Sequence, residues 1–296
     1  MAWRGLHLTQ AARLSFLNGQ LVVAREQGEV RTPIEDLGWL VIDTPQVTLS
    51  GVVIAACMEA GVAIVTTDAR HHPSGMMLPF HRHHRQAAVA SLQIGAGAPL
   101  KKRMWQRIVR AKIGNRWAVL RACRGTAPPL LEMAELVGSG DPENVEARAA
   151  RAYWSALWPA FRRGDGADLR NALLDYGYAV VRAAVARGLV AAGLLPCIGL
   201  HHEGAANAFN LADDMIEPFR PVVERAVHAL AEGGQRRIGD MTVNDRRALA
   251  ALPRADVRLE QETMTVLAAT EIVAAALVRA LESGSAAPLR LPALSE

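Results

Sequence analysis

The residue pattern of the chain changes near Leu100, and this change limits the possible folds more than any other feature. Before about residue 80, short β-prone segments are separated by turn residues, and Leu14–Ala24 reads as two strands joined by Asn18-Gly19, a strong hairpin signal. After Leu100 almost every segment is rich in Ala, Leu and Arg at helical spacing. The sequence therefore predicts an α+β fold, in which a small N-terminal β-rich domain precedes a larger all-α domain.

Prolines, glycines and composition place the expected boundaries. We predict a β-rich domain at residues 1–80, a linker at 81–98, a helical domain at 99–284 and a flexible tail at 285–296, which is rich in Ser, Ala and Pro. The histidines from His81 to His84 resemble a metal-binding tract but lack spaced acidic partners, so a flexible basic linker is preferred.

Shorter elements can be predicted inside the N-terminal part. Leu40–Ile42 and Ala63–Val65 are candidates for short buried strands. Between them, Ser50 is suited to cap a helix that runs to about Ala60, and Gly61 is suited to end it.

Composition excludes several classes of protein. With 296 residues, of which 51% are hydrophobic, the chain is long enough for two domains with cores and is not expected to be disordered. No apolar run of membrane-spanning length and no signal peptide is evident, so we expect a cytoplasmic protein without a membrane partner. Three widely spaced cysteines give no zinc or disulfide pattern, and no P-loop or GxGxxG motif occurs.

Positive charge is concentrated in one region. From Ala69 to Leu131 the chain has twelve Lys or Arg residues and no acidic residue, although the net charge of the whole chain is only +4. Helical periodicity puts Trp105, Ile108, Val109 and Ile113 on one face, so much of the basic set should face outward. Such a surface suits a polyanion, and the alternative is a solvated face balanced by acids elsewhere. The predicted DNA-binding residues are Lys101, Lys102, Arg103, Arg107, Arg110 and Arg148.

The segment from Gly199 to Pro221, GLHHEGAANAFNLADDMIEPFRP, combines an imidazole with carboxylates. His202 lies near a predicted helix that carries Asp213, Asp214 and Glu217, and Asp214 and Glu217 share a face of it. Stacked carboxylates repel unless a cation lies between them, and their oxygens suit Mg²⁺ or Mn²⁺, with the imidazole favouring Mn²⁺. The alternative is an ordinary acidic start of a helix.

A second acid follows a helix-start signal. In the segment DPENVEARAARAYW, Asp141 suits the N-cap and Pro142 the first helical position. Glu146 would then share a face with Ala149 and Tyr153, which is unusual for a solvated acid, although a Glu that complements the helix dipole is the plainer interpretation.

Three segments together carry a resemblance to a known family. NVEARAARAYW, then NALLDYGYAVV from Asn171, then the Gly199 segment resemble the three signature blocks of the CRISPR-associated integrase and endonuclease family, the first Cas protein, in the variant that accompanies type II systems. For the middle block, a core helix with buried tyrosine hydroxyls is an equally good explanation. The resemblance implies that Glu146, His202 and Glu217 are catalytic metal ligands in the helical domain and that Asp214 is an additional acid nearby. Because His201 directly precedes His202, the choice between the two histidines stays open.

The resemblance also implies an activity and partners. The expected activity is metal-dependent insertion of captured DNA fragments into a CRISPR array, in which a 3′-hydroxyl attacks a phosphodiester and Mg²⁺ or Mn²⁺ is the cofactor. The expected partners are DNA, a second copy of the chain in a homodimer, and the small second Cas protein. A non-catalytic DNA-binding scaffold and a stand-alone metal-dependent nuclease are the alternative functions.

Overall fold

Two four-stranded sheets form the N-terminal part of the protein, and helices form most of the rest. The computed structural model describes residues 2–80, 83–231 and 233–295. Its strands are β1 (Arg4–Leu8), β2 (Ala12–Leu17), β3 (Gln20–Arg25), β4 (Gly28–Pro33), β5 (Leu37–Ile42), β6 (Val47–Leu49), β7 (Ala63–Thr67), β8 (Pro73–Met77), β9 (Asp256–Leu259) and β10 (Glu262–Thr265). Its helices are α1 (Gly51–Ala60), α2 (Gln86–Gly95), α3 (Ala98–Arg124), α4 (Leu130–Leu136), α5 (Val145–Leu157), α6 (Leu169–Ala191), α7 (Asn210–Met215), α8 (Arg220–Leu230), α9 (Val243–Ala250) and α10 (Val266–Ser283).

Local signals in the N-terminal part are confirmed. β2 and β3 pair antiparallel across a two-residue turn in which Asn18 and Gly19 have φ of 49° and 75°, as a primed hairpin turn requires. β5 and β7 include the two predicted buried strands, and α1 ends at Ala60, before Gly61, whose φ of 72° is left-handed. The predicted α+β class with a β-rich N-terminal part is therefore confirmed.

The two sheets differ in strand order and in what they pack against. One sheet has the order β4-β3-β2-β6, and the other has the order β1-β5-β7-β8, in which β1, β5 and β7 are parallel. A core of Leu14, Leu21, Leu40 and similar side chains lies between α1 and the strands. Trp39 and Val65 instead belong to the larger core formed with the helices. The second sheet therefore joins the two parts of the protein.

A buried carboxylate lies at this junction. Asp43, which directly follows β5, accepts hydrogen bonds from Arg246 Nε at 2.6 Å, His71 Nδ1 at 2.8 Å and His7 Nε2 at 2.9 Å. Burial raises the pKa of Asp43, but hydrogen bonds from His7, Arg246 and His71 outweigh it and lower the pKa to about 2. Because Arg246 belongs to α9, this cluster connects the sheet to the helical part.

Three sequence predictions differ from the structure. The predicted all-α part contains the hairpin of β9 and β10. Residues 86–95 of the predicted linker form α2, in which Val89 and Gln93 are buried, whereas His81 lies outside the described residues. In the predicted flexible tail, Leu289 and Leu294 are buried and the backbone of Ala293 pairs with that of Arg258. Tertiary contacts therefore order segments whose composition favours loops.

Within the described residues, no helix is long and apolar enough to span a membrane.

Candidate active site

Glu146 lies in the first turn of α5, which begins later than the sequence predicts. The N-cap is Asn144, with a left-handed φ of 49°, rather than Asp141. Asp141 still stabilises the start of the helix, because its carboxylate accepts hydrogen bonds from the backbone N–H groups of Val145 at 2.9 Å and Glu146 at 3.0 Å. Ala149 and Tyr153, on the same face, are buried, so Glu146 lies at the edge of the core.

The sequence predicts that Glu217 and Asp214 lie on the same helix, but in the structure they belong to different elements. α7 ends at Met215, and Glu217 begins the 3₁₀ turn Glu217–Phe219 before α8. Pro218 has no N–H to donate, which explains why regular α-helical bonding is interrupted there. The Glu217 side chain is buried and accepts a hydrogen bond from Arg220 Nε at 2.7 Å.

Lys112 connects the two glutamates. Its Nζ donates to Glu146 Oε1 at 2.5 Å and also forms an ion pair with Glu217 Oε2. Burial raises the pKa of the Glu217 carboxyl, but the charges of Lys112 and Arg220 outweigh it and hold the pKa at about 2. Two carboxylates from different elements therefore converge on one cationic nitrogen.

Asp214 is fully buried and organises the loop that carries His202. It accepts backbone hydrogen bonds from Leu200 at 2.6 Å, His201 at 3.0 Å and His202 at 3.2 Å, and His202 Nδ1 lies 2.6 Å from its Oδ1. A carboxylate accepts, so Nδ1 is the protonated nitrogen and Nε2 is left to accept or to bind a cation. The hydrogen bond to Asp214 raises the pKa of His202. Asp214 is thus placed to orient the histidine.

The tight path of this loop depends on Gly199. A Cβ at that position would lie 2.2 Å from the carbonyl oxygen of His202 and 3.0 Å from Asp214 Oδ2. Gln93 of α2 fixes the preceding residues, since its Nε2 donates to the carbonyls of Leu195 at 2.9 Å and Ile198 at 2.6 Å. The segment predicted to be a linker therefore helps to position the histidine loop.

The two adjacent histidines have different surroundings. The ring of His201 stacks on Trp105 with centroids 4.1 Å apart and an interplanar angle of 2°. The ring of His202 meets Trp105 edge-on, at 5.9 Å, and contacts Asp214 instead. The geometry favours His202 as the functional histidine.

Beneath the site lies a buried polar network. Arg116 binds Glu224 through Nε at 3.2 Å and Nη2 at 2.8 Å, and Tyr178 donates its hydroxyl to Glu224 at 3.0 Å. The guanidinium of Arg220 lies 4.5 Å above the Tyr178 ring. Tyr176 is also buried, with its hydroxyl 3.3 Å from His7 Nε2. The middle sequence block is therefore a core helix whose tyrosines have polar partners.

A cavity of about 630 Å³ opens beside His202. It is lined by Arg163, Arg182, Arg220, Tyr178 and Asp213, among others. Arg163 pairs with Asp175, and Arg182 lies 3.5 Å from Asp213. Three guanidinium groups give this cavity a chemistry that suits phosphate.

The predicted DNA-binding residues do not share one environment. Lys102, Arg103 and Arg148 are exposed, and Lys101 is half-buried. Arg107 donates to the carbonyl of Leu289 at 2.9 Å, and Arg110 donates to the carbonyls of Glu135 and Val137 at 3.0 and 3.1 Å. Arg107 therefore holds the C-terminal tail in place, and Arg110 holds the end of α4.

Much of the basic set of α3 faces outward, as the sequence predicts, but two of its residues do not. Lys112 and Arg116 are buried, like the predicted face of Trp105, Ile108, Val109 and Ile113. Lys112 follows Ile108 by four residues and Val109 by three, and Arg116 follows Ile113 by three. This spacing puts both on the same side of the helix, so periodicity could have identified them. Because basic residues are usually solvated, the sequence gives Lys112 no special role, although this residue joins the two glutamates.

The donor set suits a divalent cation, although the side chains as they stand do not enclose one. Glu146 and Glu217 offer carboxylate oxygens that converge on the Lys112 nitrogen, and His202 offers Nε2, a combination suited to Mg²⁺ or Mn²⁺. Across residues 2–80, 83–231 and 233–295, no three His, Cys, Asp or Glu side chains form a closed metal-binding group. The structure thus joins the two glutamates but does not join His202 to them.

Comparison with known proteins identifies the family. Residues 6–252 match the family described as CRISPR associated protein Cas1. The chain is 36% identical to the CRISPR-associated endonuclease Cas1 of Neisseria meningitidis over 296 residues, which cover 99% of this chain and 96% of that protein. It is 30% identical to a Cas1 endonuclease of Pyrobaculum aerophilum, over 81% of this chain and 86% of that protein.

Solved structures show the same fold. A casposase bound to an integration product matches with a TM-score of 0.78 and 21% identity, over 95% of this chain and 91% of that chain. A Cas1 protein from Thermotoga maritima matches with a TM-score of 0.71 and 17% identity, over 94% of this chain and 97% of that chain. The match across residues 6–252 and the identity along nearly the whole chain show that this protein belongs to the Cas1 family of CRISPR-associated proteins.

Proposed function

We propose that this protein is a divalent-metal-dependent DNA endonuclease and integrase that inserts captured DNA fragments into a CRISPR array. The observation that carries the proposal is the convergence of Glu146 and Glu217 on one cationic position. His202, which Asp214 orients, lies close enough for the charge of Glu217 to raise its pKa. Membership of a family whose relatives are named endonucleases supports the nuclease activity. The casposase bound to its integration product has the same fold, which is compatible with joining as well as cutting.

In the proposed reaction, the 3′-hydroxyl oxygen of the fragment forms a bond to a phosphorus at the repeat end. The bond from that phosphorus to its original 3′-oxygen breaks. The attacking hydroxyl gives up its proton and the leaving 3′-oxygen takes one up to become a free 3′-hydroxyl, so no proton is gained or lost overall. Glu146, His202 and Glu217 would hold Mg²⁺ or Mn²⁺, which would polarise the phosphodiester. Arg163, Arg182 and Arg220 would hold the phosphates of the DNA strand in the adjoining cavity.

The wider assembly is also part of the proposal. Lys101, Lys102, Arg103 and Arg148 would contact the DNA backbone, because they are at least partly exposed, and Arg107 and Arg110 would add charge while holding neighbouring segments. We propose a homodimer that joins the small second Cas protein in the cytoplasm. Solved assemblies of a Cas6-RT-Cas1 chain with Cas2 contain a portion with this fold.

A strand-transfer assay tests the function. A labelled fragment with free 3′-hydroxyl ends is incubated with a plasmid that carries a repeat array, with Mn²⁺ or with EDTA. We expect metal-dependent joining by the wild type and a loss of more than about 100-fold in Glu146→Ala, His202→Ala and Glu217→Ala, because direct ligands should matter more than outer partners. Glu143→Ala is the matched control, since Glu143 is exposed just before α5.

The same assay separates the alternatives. A fragment with 3′-dideoxy ends should abolish joining by an integrase. Metal-dependent cutting without joining of any fragment would indicate a stand-alone nuclease, and tight DNA binding without any chemistry would indicate a scaffold. Near-wild-type joining by any one of the three variants would remove that residue from the proposed metal site.

A further inference from the structure

Lys112 is placed unusually for a residue of a basic helix. Its side chain is 7% exposed, as is that of Glu217, and its nitrogen contacts one oxygen of each of two glutamates. These glutamates come from α5 and from the 3₁₀ turn before α8, so Lys112 is the point at which three separate elements meet.

The contact of Lys112 with both glutamates balances the repulsion between their charges. Two neighbouring carboxylates repel each other, and the repulsion is strong where water is excluded. A buried ammonium between them removes the repulsion and is itself stabilised by the pairing. The same oxygens are the ones that a divalent cation would use, so the ammonium and the cation compete for them.

We propose that Lys112 is a positioning residue whose ammonium holds Glu146 and Glu217 together until a divalent cation takes its place on the carboxylates. This inference rests on the proposed metal site. Lys112 would preorganise the two ligands and, at the same time, weaken metal binding, because a nearby positive charge opposes the entry of another.

Removing the ammonium should therefore have two opposite effects. In Lys112→Met the carboxylates face each other with only the Arg220 pairing of Glu217 as counter-charge, so the protein in EDTA should melt at a lower temperature than the wild type. The same variant should bind Mn²⁺ at least about tenfold more tightly. The positive charge of Lys112 repels the ion, and at a separation of a few ångströms and an effective dielectric constant of about 20 this repulsion weakens binding by more than about tenfold. If Lys112 only held the two glutamates in place, Lys112→Met would loosen them and bind Mn²⁺ more weakly than the wild type.

The experiment measures Mn²⁺ affinity by electron paramagnetic resonance on the full-length protein. Lys112→Met is compared with the wild type, with Lys112→Arg, which keeps the positive charge, and with Lys101→Met, which removes a charge near the start of the same helix. We expect tighter binding in Lys112→Met, nearly wild-type binding in Lys112→Arg and Lys101→Met, and a larger Mn²⁺-induced rise in melting temperature in Lys112→Met. Unchanged or weaker Mn²⁺ affinity in folded Lys112→Met would overturn the proposal.

A measurement on the wild type covers the case in which Lys112→Met does not fold. Displacement by metal should expose the Lys112 amine, so brief acetylation followed by mass spectrometry should modify Lys112 more with Mg²⁺ than with EDTA, relative to Lys101. Equal or lower modification with Mg²⁺ would contradict displacement.

The failure of the metal site itself gives a different result. If wild type and Glu146→Gln bound Mn²⁺ equally, the ion would not use Glu146 and the proposed function would lose its metal site. If Glu146→Gln lost Mn²⁺ binding but Lys112→Met gained none, only the role of Lys112 would fail.

Discussion

The imidazole of His202 and the carboxylate of Asp214 meet at 2.6 Å between Nδ1 and Oδ1, and the same carboxylate accepts the backbone N–H groups of residues 200, 201 and 202. One buried side chain thereby fixes both the path of the loop and the orientation of its histidine. The resemblance of the sequence to its family implies only an additional acid near the metal. The structure gives Asp214 a more specific place, as the partner of His202.

Asp214→Asn should lower the pKa of His202, because the hydrogen bond to the carboxylate is the largest cause of its elevation. Joining activity should fall about 10- to 100-fold, as for other outer partners of metal-binding histidines. NMR titration of the His202 ring measures the first effect, and the strand-transfer assay measures the second. Asp256→Asn is the control, because Asp256 is exposed on β9 and does not line the cavity beside His202. An unchanged His202 pKa in folded Asp214→Asn would refute this coupling.

His202→Ala should reduce joining far more than His201→Ala. His202 presents Nε2 while Asp214 holds Nδ1, whereas His201 is stacked on Trp105. His201→Ala removes one stacking contact and should cost about 1 kcal/mol of stability, which thermal unfolding measures. A greater loss of joining from His201→Ala would reverse the assignment.

Charge reversal at Lys101, Lys102, Arg103 and Arg148 should weaken DNA binding and flatten its salt dependence. Each lost phosphate contact should reduce the slope of log affinity against log salt by about 0.9 for duplex DNA. Fluorescence anisotropy at several salt concentrations measures the slope, and circular dichroism verifies the helices. Arg107 and Arg110 are left intact, because their hydrogen bonds to backbone carbonyls would confuse folding with binding. An unchanged slope in the folded multiple variant would show that this surface does not bind DNA.

Asp43→Asn should destabilise the protein in a pH-dependent way. The pKa of Asp43 is lowered from 3.8 to about 2 in the folded protein, so its charge stabilises the fold above pH 4 and the effect is lost as pH falls through about 2. The shift corresponds to about 2 kcal/mol at neutral pH, of which about 1 kcal/mol should be lost by pH 3. Urea unfolding between pH 6 and pH 3 measures the free energy of unfolding of wild type and of Asp43→Asn, and the difference between the two should become smaller as the pH falls. Asp36→Asn is a more exposed control. A difference that did not change with pH would mean that the Asp43 charge does not stabilise the junction.

The sequence by itself determined the features that depend on near neighbours in the chain. The Asn18-Gly19 hairpin, the end of α1 before Gly61 and the buried face of Trp105, Ile108 and Val109 follow from local backbone preferences and helical periodicity. The three sequence blocks also identified the family, because their order and residue types are specific even without a structure.

Only the tertiary structure decided which charges meet. Lys112 belongs to a run of basic residues that suggests a solvated face, and nothing near it in sequence indicates that Glu146 and Glu217 lie on either side of its nitrogen. Likewise, Gln93 and the tail residues Pro292 and Leu294 become ordered through contacts with distant segments, the tail through Asn115. Burial and ion pairing depend on how helices pack rather than on local propensity, so the same charged residue can be a solvated cation or the centre of a site.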